Sequence, residues 1–125
     1  MSTNYFFCQS DVCVSFQDEN EMNKQVESFE KEVKEHDEDD ELSEFGRFHA
    51  YVVKEKIKEN AFQARILIDA NSDDYVDVDG LAKLICKHFP AADGGIGYAE
   101  AEESAGGFTR YAGGGRINIQ RGEIL

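Results

Sequence analysis

The chain has no tryptophan, one proline, and no apolar run near the ~20 residues a membrane-spanning helix requires. A transmembrane helix is therefore excluded. The N-terminus has no basic start followed by an apolar stretch, so no signal peptide is predicted. Cysteine is scarce and odd in number: Cys8, Cys13 and Cys86 cannot form a disulfide framework. None has a Cys or His partner at zinc-ligand spacing, so no metal centre and no cofactor are expected. Three small apolar cysteines suit a reducing compartment, and the predicted location is cytoplasmic. Positive charge is also short. Thirteen Lys and Arg stand against 26 Asp and Glu, giving a net charge of −13. A field of that sign repels nucleic acid, so no direct nucleic-acid partner and no membrane partner are expected. At 125 residues the chain is one domain and can bury roughly two-thirds of its unfolded surface.

The negative charge is concentrated. Residues 18–44 hold thirteen of the acids and only Lys24, Lys31 and Lys34, which places −10 of the −13 within 27 residues. Met22, Val26, Phe29 and Val33 recur at i, i+4, i+7 and i+11, the stripe of an amphipathic helix. Asp18 or Asn20 can cap its start, and Glu27, Glu30, Glu32 and Glu35 face outward. An acidic loop at about 35–44 should follow, because a dense block of like charge resists packing.

The remaining chain reads as a small α+β domain. Residues 4–16 form an aromatic and then alternating strand, with a bulge or turn expected at Gln9-Ser10-Asp11. Phe48 to Lys58 is a second strand, with Tyr51, Val53 and Ile57 expected on its dry face and Lys54, Lys56 and Lys58 opposite. Glu59-Asn60 turns into a third strand, with Phe62, Ala64, Ile66 and Ile68 alternating. A second helix over 78–89 has Asp77 or Asp79 as its cap, and Pro90 follows its end. His88 on its apolar side is expected to be a packed boundary residue. Ile96 and Tyr98 open a further strand, Phe108 to Ala112 another, Gly113-Gly114-Gly115 a turn, and Ile117 with Ile119 a last strand. This order predicts a ferredoxin-like βαββαβ antiparallel sheet with two helices on one face and a C-terminal β extension.

Several short motifs resemble the YubB-type ferredoxin-like family of plasmids, phages and other mobile elements. They are Tyr5-Phe6-Phe7-Cys8-Gln9-Ser10, Val12-Cys13-Val14, Phe29, Phe89-Pro90, Tyr98-Ala99-Glu100 and Gly106-Gly107-Phe108. The family usually carries tryptophan in its opening motif and in a central strand; this chain has none. The resemblance implies the fold and a mobile-element setting, and brings no reaction with it.

Asp69, Asn71, Asp73 and Asp77 match positions 1, 3, 5 and 9 of a calcium loop. However, Asp74 stands where the turn wants glycine, and Gly80 where the bidentate glutamate belongs, so a strand-to-helix loop with a capping aspartate is expected instead. No nucleophilic triad can be assembled from the spacing of His36, His49 and His88. Glu100, Glu102 and Glu103 read equally as paired carboxylates or as a strand edge facing water.

Two sites remain as expectations. The first is a contact surface of Glu27, Glu30, Asp37, Glu38, Asp39, Asp40 and Glu41. It would imitate a row of phosphates and dock on a basic, nucleic-acid-binding host protein, inhibiting it. The second is a small-ligand or nucleotide-binding module, with or without catalysis. It would use Arg110 and Arg116 beside the amides of Gly113, Gly114 and Gly115. The basic excess near the C-terminus, opposite an acidic helix, also suits head-to-tail assembly into a homo-oligomer.

Overall fold

The computed structural model describes residues 3–38, 46, 48–72, 76–103, 106 and 109–125. The elements run β1 (Thr3–Phe16), α1 (Glu19–Glu38), β2 (His49–Lys58), β3 (Ala61–Ser72), α2 (Val78–His88), β4 (Asp93–Glu103), β5 (Thr109–Gln120) and β6 (Glu123–Ile124). The six strands form one antiparallel sheet in the order β2-β3-β1-β4-β5-β6. Among the described residues this is an α+β architecture with two helices. Among the described residues, no helix is long and apolar enough to cross a membrane.

Strand β1 alternates strictly. Cys8, Ser10, Val12 and Val14 are buried, whereas Phe7, Gln9, Asp11 and Ser15 are exposed. Ala64, Ile66, Ile68 and Ala70 of β3, with Ile96 of β4 and Ile119 of β5, extend the same dry face. Onto it pack Met22, Val26, Phe29 and Val33 of α1, and Leu81, Leu84 and Ile85 of α2. The helices meet through Phe29 and Phe89, whose ring centroids lie 5.3 Å apart at a tilt of 54°, a favoured aromatic arrangement. Both apolar stripes fall where helical periodicity predicts.

Four details differ from the sequence reading. Strand β1 is continuous through Gln9-Ser10-Asp11, in one unbroken register with β4. The Ser10 hydroxyl takes part in the pairing with β3: it donates to the Ile66 carbonyl at 2.9 Å and accepts from the Ile68 amide at 2.6 Å. A buried hydroxyl bridging the ladder replaces a bulge.

Strand β2 presents Ala50 and Val52 toward the helices, while Tyr51 and Val53 look outward, 54% and 37% exposed. The Cα register places Val52 opposite Ile66, so the parity of β3 decides that of β2. Ile57 sits at a register shift between Lys56 and Lys58, which frees it from the alternation.

Helix α1 continues through Glu35, His36, Asp37 and Glu38, where a loop was expected. Val33 remains packed and Glu32 is tied to α2, and glutamate itself favours helix, so the acidic start of the run stays helical. The rest of the expected loop lies outside the described residues.

Gly113-Gly114-Gly115 is not a turn but the middle of β5, paired with Glu100, Ala99 and Tyr98. A Cβ at Gly115 would come within 2.9 Å of the Tyr98 hydroxyl. The absent side chain at Gly115 makes room for that ring across the strand pair. The turn comes later, at Arg121-Gly122, with φ of 48° and 73°. Two left-handed residues in a two-residue hairpin are the I′ pattern, and they lead into β6.

Ser10→Ala leaves the Ile68 N–H and the Ile66 carbonyl buried without the hydroxyl. The expected loss is about 1–3 kcal/mol, read in urea unfolding as a lower midpoint with an unchanged slope.

Candidate functional site

Helix α1 presents Glu19, Glu21, Glu27, Glu30 and Glu35 to solvent, interleaved with exposed Lys24, Lys31 and Lys34. The expected contact residues Glu27, Glu30, Asp37 and Glu38 fall at i, i+3, i+10 and i+11 along this helix, one stripe about 16 Å long at 1.5 Å per residue. Lys34 lies on the same stripe. Asp39, Asp40 and Glu41 lie outside the described residues.

One carboxylate of α1 is committed inside the fold. Glu32 Oε1 pairs with the Lys87 ammonium and lies 3.4 Å from His88 Nε2. Burial pushes its carboxyl up, but the hydrogen bond and charge of Lys87, then those of His88, outweigh that. The net effect is below the usual carboxylate range. The other ring nitrogen, Nδ1, lies 3.0 Å from the Ser28 hydroxyl. The histidine is largely buried and stands edge-on to Phe29.

Ser28, His88 and Glu32 thus stand in the order hydroxyl, imidazole, carboxylate, a grouping that sequence spacing did not reveal because α1 and α2 supply it from 60 positions apart. The i, i+4 relation of Ser28 and Glu32 was visible; their meeting with His88 was not. Acyl transfer would also need an oxyanion cradle and a substrate cleft. Ser28, His88 and Glu32 line neither the cleft beside α2, nor the trough on the open face, nor the groove between α1 and β2. The group links the helices.

The glycine–arginine region is divided between the two sides of the sheet. Arg116 packs over Gly95, and its Nε donates to the Asn118 side chain at 3.0 Å. It borders a shallow trough on the open face with Arg65, Gln9, Leu67 and Asp69. Gly113 and Gly114 instead border a separate cleft of about 340 Å³ on the helix side, where β1, β4 and β5 pass the start of α2. Its walls include Phe6, Tyr98 and Ile117, together with Asp77, Asp79 and Glu100. Gly115 and Arg116 border the trough and Gly113 and Gly114 the cleft, and Phe7, Tyr98 and Ala99 border both. Arg110 pairs in register with Glu102. A third groove runs between α1 and β2, past Glu27, Glu30, Lys34 and Tyr51.

Asp77 caps α2 as expected, its Oδ1 accepting the Gly80 amide at 3.0 Å. The start of the calcium-loop-like run, Asp69 through Asn71, is strand, so the expected strand-to-helix loop begins later; Asp73 and Asp74 lie outside the described residues. Among the described residues, no group of three or more His, Cys, Asp or Glu is placed to hold a metal ion. All three cysteines are free. Burial pushes the Cys8 and Cys86 thiols up, with the Asp69 charge adding to the effect at Cys8, so neither is an activated thiolate.

Comparison with family models, curated proteins and solved structures gave no match.

A carboxyl lowered in the folded state contributes stability above its unfolded value and loses it as pH falls through the folded one. Glu32→Gln should therefore cost about 0.5 kcal/mol at neutral pH. That difference from wild type should close as pH falls below the ordinary carboxylate value near 4.5. Denaturant unfolding at stepped pH measures both.

Proposed function

We propose that this chain is a non-enzymatic binding protein whose acidic helix docks on a basic, nucleic-acid-binding partner protein and blocks it. The observation that carries the reading is the rigid presentation of acid on α1: Glu27 and Glu30 are exposed, and the same stripe leads into Asp37 and Glu38. A helix packed through Met22, Val26, Phe29 and Val33 holds the backbone beneath Glu27 and Glu30 in place, so little backbone order is lost on docking. Carboxylates on one stripe offer a basic groove what a phosphate row offers it. The attraction steers encounter and weakens with salt.

The scaffold in this reading is a ferredoxin-like core, β1-α1-β2-β3-α2-β4, with β5 and β6 added beyond β4. The inner placement of β1 and β3 and the antiparallel ladders support it. The resemblance to mobile-element proteins suits a host protein as the target.

The test is retention of the protein on immobilised basic DNA- and RNA-binding domains across a salt series. Binding to at least one domain should fall steeply with salt. Neutralising Glu27, Glu30, Asp37 and Glu38 to Gln or Asn should weaken it by at least about tenfold. Capture unchanged by these four substitutions, or capture of none of the domains at low salt, overturns the reading.

A further inference from the structure

The cleft beside α2 has a chemistry distinct from that of the acidic helix. Among the described residues that line it, none is basic, whereas Asp77, Asp79 and Glu100 contribute three carboxylates. The start of α2 also borders it, and a helix N-terminus adds a partial positive charge of about +0.5. Three formal negative charges outweigh that, and the Asp77 carboxylate already occupies the Gly80 amide. Phosphate is therefore disfavoured here, despite the adjacent glycines.

The walls also provide aromatic surface. Phe6 is half-buried, Tyr98 is 41% exposed, and Val76 and Ile117 add apolar contacts. Tyr98 is placed by the glycine opposite it: the ring lies where a side chain at Gly115 would stand. The cavity, at about 340 Å³, falls within the range of small-molecule sites. Aromatic faces attract cations through the ring quadrupole, and carboxylates add direct charge.

We propose that this cleft binds a small organic ammonium with an apolar or aromatic body, its charge beside Glu100 and Asp79 and its body against Phe6 and Tyr98. This site is independent of the docking surface on α1; it lies between α2 and the β4–β5 half of the sheet, so the failure of either reading leaves the other standing.

The probe is 2-phenylethylammonium, with 3-phenylpropionate as its anionic counterpart, titrated into the full chain and followed by amide NMR shifts. With about nine heavy atoms the cation should bind in roughly the millimolar range. It should move the amides of Glu100, Gly113 and Gly114, and the anion should bind at least about tenfold more weakly. Glu100→Gln and Asp79→Asn, both at partly or fully exposed positions, should each weaken the cation by about threefold or more. Equal binding of cation and anion, no shift at those three amides at saturating probe, or unchanged affinity in both variants overturns the proposal.

Discussion

The pairing of β1 on both sides governs the structure. It is hydrogen-bonded to β3 along one edge and to β4 along the other. Its alternate residues Cys8, Ser10, Val12 and Val14 all face the helices. A one-residue slip in either ladder would turn every one of them outward. Ser10 adds to this ladder, its buried hydroxyl donating to the Ile66 carbonyl and accepting from the Ile68 amide. A one-residue slip would also carry that hydroxyl to the other face and leave the two backbone groups to find other partners.

From that strand follow two unlike surfaces. The inner face closes under α1 and α2, which join through Phe29 against Phe89 and through Glu32 against Lys87 and His88. The outer face keeps Phe7, Tyr51 and Val53 in water beside Arg65, Asp69 and Arg116. Among the described residues, the helices cover the inner face incompletely. Beyond the start of α2 the sheet continues into β5, and the corner there is the cleft lined by Phe6, Tyr98 and Glu100. Glycine in β5 shapes that corner by leaving the space that the Tyr98 ring occupies.

Charge divides along the same lines. The carboxylates of α1 mostly point away from the core, so mutual repulsion is relieved by solvent and salt and not by internal partners. Glu32 is the exception, because its position on the helix falls over α2, where a cation can reach it. Free β2 carries Lys54, Lys56 and Lys58 on a sheet edge, and charged side chains there discourage further strand pairing.

Much of this was legible in the residues themselves. Period 3.6 in 22–33 and 81–89, period 2 in 12–16 and 62–68, the Asp77 cap and the Glu59-Asn60 turn each rest on local geometry, and a local signal survives folding. The concentration of acid in one segment was equally plain. What failed was whatever depended on a neighbour. The inward face of β2 is decided by its register on β3. Whether three glycines turn or run straight is decided by their pairing with Tyr98, Ala99 and Glu100 of β4. The sides of the sheet taken by Arg116 and by Gly113, and the meeting of Ser28 with His88, exist only once strands and helices are assembled. Composition and periodicity act along the chain; register and cleft chemistry arise between segments far apart in it, and only tertiary packing brings those segments together.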